Sequence, residues 1–250
     1  MSLLEIIIPV KNEAGNLMEL VRRVNNALVS ANIDFNLIFI DDHSTDETVQ
    51  IIEFLRQKYP IKIFTKLGKP GKAYSILEGS RYATAENLAM LDADLQYPPG
   101  AIPEMFAKLN EYGVVVASRK TFKVPFIRKF LSKGFKFVFG KLLFDLKVDV
   151  QSGLKLFKKE IIGHLSDNDI SAWTIDLPLL HTAKELGYEI GEVKVEFSKR
   201  LNGQSHLSLI PSILEIGTNA LFLKARRIKI YQIAPENPEN MKGAGVAYKG

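Results

Sequence analysis

Continuous apolar runs and helically spaced apolar positions take turns along the N-terminal part of the chain. "LLEIIIPV" (3–10) is an apolar run, broken only by Glu5, of the kind buried in a parallel sheet, and Leu17, Leu20, Val21, Val24 and Leu28 then follow at the spacing of one helix face. "FNLIFIDD" (35–42) predicts a second buried strand, followed by a helix that Ser44 and Glu47 are spaced to open as a capping box. "IKIFTK" (61–66) predicts a third strand, 72–83 a helix, and "NLAMLDAD" (87–94) a fourth strand. Alternation this regular points to an α/β fold, a mostly parallel Rossmann-like sheet with helices on both faces. Residues 114–117 add a strand, after which come helices near 158–165 and 175–186 and the strand "YEIGEVKVEF" (188–197).

In open sheets of this type ligands bind outside the carboxyl ends of the strands. Those ends carry residues 9–13, then Asp41 and Asp42, then 68–72, then Asp92, Asp94 and Gln96, four polar clusters on one rim. In "LDADLQYPP" (91–99), taken as extended, residues i and i+2 share a side, so Asp92 and Asp94 converge. Two such carboxylates repel unless something positive lies between them, and a hard divalent cation shared with substrate phosphate suits the need. The alternative is strand-end turn chemistry, to which Tyr97-Pro98-Pro99-Gly100 belongs.

A chain of 250 residues is long enough for one large domain or one domain with an appendage. The formal charge of +5 (33 basic against 28 acidic residues) matters only because it is clustered. Arg119, Lys120, Lys123, Arg128, Lys129, Lys133, Lys136 and Lys141 run without an intervening acid and alternate with six phenylalanines between Phe122 and Phe139. A basic aromatic helix fits an anionic membrane surface, and an amphipathic core helix fits the same pattern. Nothing resembles a groove-reading module, so no nucleic-acid partner is expected. There is no cysteine for disulfides or thiolate metal sites, and residues 1–5 lack the pattern of a signal peptide, which points to the cytoplasm. The apolar stretch 207–223 is interrupted by Pro211, Glu215 and Asn219, and suits lying on a membrane better than crossing one.

The ordered motifs "IIIPVKNEAGNL", "IDDHSTDETV", "GKPGKAYSILEGS", "LDADLQYPP", "ASRK", "QSGLKLF" and "RLNGQSHL" resemble the family 2 inverting glycosyltransferases. Within them the similarity is to the polyprenyl-phosphate hexose synthases typified by dolichol-phosphate mannose synthase, over about residues 4–207. The resemblance implies an A-type glycosyltransferase fold, a nucleotide-diphosphate sugar donor (GDP-mannose or UDP-glucose), a polyprenyl phosphate acceptor, and Mg2+ or Mn2+ held by Asp92, Asp94 and Gln96. It further implies a peripheral enzyme on the cytosolic membrane face, serving a cell-envelope glycan. Domain boundaries follow as a glycosyltransferase domain at 1–206, including a basic amphipathic helix at about 126–146. A membrane-interface helix at 207–232 and a disordered tail at 233–250 complete the expectation.

By the same resemblance Pro9, Lys11, Glu13, Ile40 and Asp42 line the nucleoside pocket, with Ala93 and Arg119 also on the donor. Glu13 and Asp42 are acceptor-only carboxylates suited to ribose hydroxyls and base N–H groups, whereas Asn12 and Ser44 also suit helix caps. Arg128, Ser132, Gln151, Ser152, Arg200, Ser205 and His206 fall on the acceptor-phosphate side, with Asp94, Arg119, Arg200 and Asp176 as catalytic candidates. Three departures stand out. Lys11 replaces a residue that is often aromatic, His206 a lysine, and Pro178 the second acid of the F-D-x-E pattern to which Asp176 belongs. A lone Asp176 ahead of a helix also suits an N-cap, and a phosphate acceptor, already anionic, needs no base. Two rival functions remain, transfer to a soluble saccharide or protein and non-catalytic nucleotide-sugar binding. A nucleotidyltransferase would carry a Gly-rich loop where "PVKNEAGN" stands.

Overall fold

The structure, a computed structural model, describes residues 3–120, 148–172 and 174–198. Strands β1 (Leu4–Val10), β2 (Phe35–Asp41), β3 (Ile61–Thr65), β4 (Asn87–Leu91), β5 (Val114–Arg119), β6 (Leu154–Lys158) and β7 (Ile190–Val195) form one sheet in the order β3-β2-β1-β4-β6-β5-β7. Helices α1 (Ala14–Ser30), α2 (Thr48–Arg56), α3 (Lys72–Tyr82), α4 (Ile102–Lys108), α5 (Lys159–Gly163) and α6 (Asp176–Glu185) cover it.

The central strands β1, β2 and β4 are mostly apolar because both faces are covered, and their period-2 alternation shows which side chain feeds which layer. Leu4, Ile6, Ile8 and Val10 of β1 join α1, Ile52 of α2 and Met105 of α4 on one face. Ile7, with Ile38 and Ile40 of β2, packs on the other face against Ile76 of α3, Ile161 of α5 and Leu179 of α6. Leu17, Leu20, Val21, Val24 and Leu28 are all fully buried, as the spacing of α1 predicts. The charge in β1, Glu5, is tolerated in full burial because it accepts from Lys62 Nζ (2.8 Å) and from the backbone N–H groups of Thr84 (2.5 Å) and Ala85 (2.8 Å).

β1 to β4 are parallel, β6 lies antiparallel between β4 and β5, and β7 runs parallel to β5. This arrangement makes the site composite. Val10 pairs with Asp41 and Asp41 with Thr65, so the ends of β1, β2 and β3 stand level on the rim where β4 also ends. β5 delivers Arg119 to that rim, and β6 starts there, which brings the residues before it, 149–153, to the same place. The antiparallel β6 is absent from the sequence expectation, since "LKLFK" is short and carries two lysines.

Two local expectations are corrected. β4 stops at Leu91, so Asp92 and Asp94 stand in a turn rather than on one side of an extended strand. α2 begins at Thr48 with no side-chain cap from Glu47, and no Ser44–Glu47 capping box forms. Asp46 serves the helix start instead, its Oδ1 accepting the Thr48 N–H at 3.0 Å. The expected segments at 126–146, 207–232 and 233–250 lie outside the described residues. Among the described residues no helix is long and apolar enough to cross a membrane.

Candidate active site

On the β1–β2–β3 half of the rim, side chains of one loop hold the backbone of the next. Asn12 N–H donates to Ser44 Oγ (3.0 Å), Thr45 N–H to Asn12 Oδ1 (2.7 Å) and Glu13 N–H to Thr48 Oγ1 (2.8 Å). Asn12 and Ser44 are thus cross-braces between loops and not helix caps. Asp42, 8% exposed, accepts from Gly71 N–H (2.9 Å) and Lys66 Nζ (3.1 Å), and the fully buried Lys66 also donates to the Gly71 carbonyl (2.8 Å). Burial alone would raise the Asp42 pKa, but these donors outweigh it and hold the carboxyl below its ordinary value. Lys66 is pushed down by burial, with Asp42 opposing. Asp42 Oδ1 is buried with no hydrogen-bond partner, an unsatisfied anionic acceptor in the residue that follows β2.

Gly71 is where only glycine fits. Its φ is 124°, and a Cβ would lie 2.6 Å from the Ala172 carbonyl oxygen, which accepts the Ala73 N–H at 3.0 Å. The start of α3 is therefore clamped to the loop before α6, and Lys72, the next residue, ion-pairs with Asp92. Asp94, 4% exposed, closes the turn by accepting the Gln96 N–H at 3.0 Å, with Leu95 at φ 60°. Asp92 N–H donates to the Gly153 carbonyl (3.1 Å), and a Cβ on Gly153 would stand 2.1 Å from Asp92 Oδ2. Burial pulls the Lys72 pKa down, but Asp92, Asp176 and Asp94 together win and raise it.

On the β5–β6 half, charged groups pair with each other. Arg119 forks onto Asp149, Nε to Oδ2 at 2.8 Å and Nη2 to Oδ1 at 3.2 Å, with its guanidinium 5.2 Å from the Phe197 ring centre. Phe197 meets Tyr97 edge-on, and burial pushes the Tyr97 hydroxyl up to about 12. Lys155, fully buried, donates to the Ser152 carbonyl (2.5 Å) and ion-pairs with Asp176. Its pKa is lowered by burial against the opposing pull of Asp176.

The model of the family described as Glycosyl transferase family 2 matches residues 5–165, more than half of the chain. The chain is a family 2 glycosyltransferase. It is 32% identical over 212 residues to the dolichol-phosphate mannosyltransferase of Pyrococcus furiosus, covering 81% of this chain and 58% of that protein. Against the Saccharomyces cerevisiae protein of the same name it is 27% identical over 216 residues, with 81% and 80% covered. The chain thus spans less than two thirds of the Pyrococcus relative's length. Among solved structures, glucosyl-3-phosphoglycerate synthase of Mycobacterium tuberculosis in complex with phosphoglyceric acid superposes with a TM-score of 0.65 at 17% identity, over 94% of this chain and 82% of that one. Mannosyl-3-phosphoglycerate synthase of Rubrobacter xylanophilus gives 0.65 at 12% identity, over 94% and 76%. These likenesses carry the fold, the A-type glycosyltransferase fold.

In this glycosyltransferase the expected donor residues divide. Glu13 sits at the start of α1 with Oε2 accepting from Asn16 Nδ2 (2.6 Å), and Lys11 is exposed on the rim. The side chain of Ile40 is fully buried in the core and Ala93 is 4% exposed, so what either offers a ligand is backbone. Ser152 turns inward, its Oγ donating to the Leu154 carbonyl (2.9 Å), while Gln151 is exposed. Asp176 is the first residue of α6 and not its N-cap, which is Ile175; its carboxylate faces Lys155. Gln96 turns its amide nitrogen to the Ser198 carbonyl at 3.4 Å. Arg128, Ser132, Arg200, Ser205 and His206 lie outside the described residues.

Asp92 and Asp94 fit a divalent ion. Among the described residues no group of three or more His, Cys, Asp or Glu could hold a metal, so the protein side would be these two carboxylates, the few-ligand pattern that suits an ion shared with substrate phosphates. The place already attracts a cation, since Lys72 stands there in the field of both. Lys66, Gly153 and Lys155 are the site residues that the sequence expectation lacked, and Lys72 entered it only as the last residue of the rim cluster 68–72. For Lys155 a signal existed: a lysine inside the apolar run "LKLF" requires a buried acid.

Proposed function

We propose that this glycosyltransferase moves a hexose from a nucleotide-diphosphate sugar, GDP-mannose or UDP-glucose, to a polyprenyl phosphate, inverting the anomeric carbon. One observation carries the choice of acceptor. Asp149 and Asp176, the acids on the β5–β6 half of the rim, are both engaged by cations, Arg119 and the buried Lys155. A hydroxyl acceptor must lose a proton to a base, and a cation held against a carboxylate makes it a weaker one, whereas a lipid phosphate arrives as an anion. Similarity to three dolichol-phosphate mannosyltransferases at 27–32% identity supports the same choice.

In this scheme Asp42 Oδ1 and Glu13 accept from the nucleoside, and the cross-braced loops keep them in place before the donor arrives. Asp92 and Asp94 would hold Mg2+ or Mn2+, which when bound supplies a Lewis acid for the departing diphosphate. Arg119 keeps donors outside its Asp149 fork for phosphate oxygens, a geometry a lysine lacks. Arg128, Ser132, Arg200, Ser205 and His206 would meet the acceptor phosphate. A polyprenyl tail stays in the bilayer, so the work is done at a membrane surface, on the cytosolic face, with the basic aromatic segment 119–141 facing anionic lipid.

The test is a panel of nucleotide sugars with Mg2+ or Mn2+, offered in parallel to a short polyprenyl phosphate and to soluble hydroxyl acceptors. Sugar on the phosphate is expected. Transfer confined to hydroxyl acceptors would sink the proposal and favour the soluble-acceptor rival.

A further inference from the structure

Lys72 opens α3 with its ammonium on Asp92 Oδ1, while Gly153 walls Oδ2 so closely that a methyl group there would stand 2.1 Å away. Asp92 cannot retreat toward β6, and Lys72 is held by the Gly71 clamp on Ala172. Both side chains keep contact with solvent at the rim, 30% exposed for Lys72 and 26% for Asp92, so an ion can reach them. The ion pair puts the Lys72 ammonium on Asp92, one of the two carboxylates suited to a divalent ion. A protein cation therefore stands where the metal charge would be placed.

We propose that Lys72 is the resident counter-ion of the Asp92–Asp94 turn, a positioning residue that a divalent ion displaces from Asp92. Two consequences follow physically. The turn stays electrostatically balanced without metal, so its two acids do not spring apart by mutual repulsion. A bare divalent ion also binds weakly, because it must break the Lys72–Asp92 pair and then sit beside a freed ammonium. A diphosphate arriving with the metal offsets that ammonium, which ties metal loading to nucleotide loading.

The proposal rests on the metal-bearing part of the functional reading and is independent of the sugar and of the acceptor. Its experiment titrates Mn2+ alone into the full chain, with free Mn2+ read by electron paramagnetic resonance, for wild type, Lys72→Met, Lys72→Arg and Lys69→Met. Lys72→Met should bind Mn2+ roughly fivefold tighter, the scale of one partly exposed ion pair given up. Lys72→Arg should stay near wild type, and Lys69→Met, which removes a neighbouring charge with no contact to Asp92, should change affinity less than about twofold. Circular dichroism verifies that each variant is folded, and Lys72→Gln substitutes for Lys72→Met if that one is not. Unchanged or weaker binding in Lys72→Met, or an equal gain in Lys69→Met, overturns the counter-ion role while leaving the transferase reading intact. Absence of Mn2+ binding in every variant overturns both the role and the metal site.

Discussion

The two halves of the rim differ in what dominates them, although the first also holds the Lys66–Asp42 ion pair and in the second Lys155 also donates to a backbone carbonyl. Around β1, β2 and β3, polar side chains grip backbone: Ser44 and Asn12 across two loops, Asp42 on Gly71, and Glu78 on the N–H groups of Leu67 (2.9 Å) and Gly68 (3.0 Å). Around β5 and β6, charged side chains grip each other, Arg119 with Asp149 and Lys155 with Asp176. Backbone-holding side chains fix the shape of loops, which suits recognition of a nucleoside. Paired charges fix a field, which suits an anionic acceptor and a developing diphosphate charge. The Asp92–Asp94 turn joins the halves, touching Lys72 from one and Gly153 from the other.

The largest effects are expected at that junction. Asp94→Ala should lower transfer about a hundredfold or more while leaving the fold intact, the usual scale for removing a contact to developing charge. Gly153→Ala should approach the same loss without removing any charge, since its Cβ would overlap Asp92 Oδ2. Steady-state kinetics with circular dichroism as control measures both. A Gly153→Ala enzyme with wild-type turnover would separate the halves and show that Asp92 has room to move.

Next in size is the buried pair. Asp176→Asn leaves the Lys155 ammonium fully buried with a poorer partner and should cost about 2 kcal/mol in urea unfolding, below the usual range for a broken buried pair because Asp176 is 20% exposed. Replacing the pair together, Lys155→Met with Asp176→Leu, should recover most of that stability but not the transfer activity. Recovery of both would reduce the pair to packing and dissolve the contrast between the halves.

The same contrast decides what was legible in the sequence. The succession of strands in the first half, the rim and its acids could be read because each polar cluster sits at the end of its own apolar run, "PVKNE" closing the first and "DDHST" the second. Arg119 and Asp149 are 30 residues apart and Lys155 and Asp176 are 21 apart. A lysine in an apolar run announces that an acid is needed, but nothing local names which one, since the pairs exist only once β6 inserts antiparallel between β4 and β5. The capping box at Ser44 and the extended conformation at Asp92–Asp94 fail for a related reason. A capping pattern and an alternating pattern describe regular elements, and both places stand just outside one, where a neighbouring loop decides their partners.

A smaller effect appears with pH. The carboxyl of Asp42 lies below its ordinary 3.8 in the folded chain, through Gly71 and Lys66 working against burial. For a depressed carboxylate the stabilisation is complete above the unfolded value and is lost as pH falls through the folded one. Wild type should therefore lose stability to urea in acid below 3.8 more steeply than Asp42→Asn. Parallel slopes would mean that Gly71 and Lys66 do not discriminate the charged form.

The smallest expected effect concerns the strap across the halves. Gln96 reaches from the Asp92–Asp94 turn to the segment leaving β7, its Nε2 donating to the Ser198 carbonyl at 3.4 Å while Ser198 N–H donates to the Gln96 carbonyl at 3.0 Å. In sequence the chain continues to Arg200, which we propose meets the acceptor phosphate. If the side chain is a strap, Gln96→Ala removes one long neutral hydrogen bond and leaves the backbone bond in place. The cost should then be roughly threefold in kcat/KM, carried by the acceptor KM, with Mn2+ affinity unchanged. If Gln96 is instead a metal ligand, as the D-x-D-x-Q resemblance implies, Mn2+ affinity should fall about tenfold or more and the acceptor KM should hold. Titrating Mn2+ into Gln96→Ala and measuring the acceptor KM on the same preparation separates the two, because each assignment moves the quantity that the other leaves still.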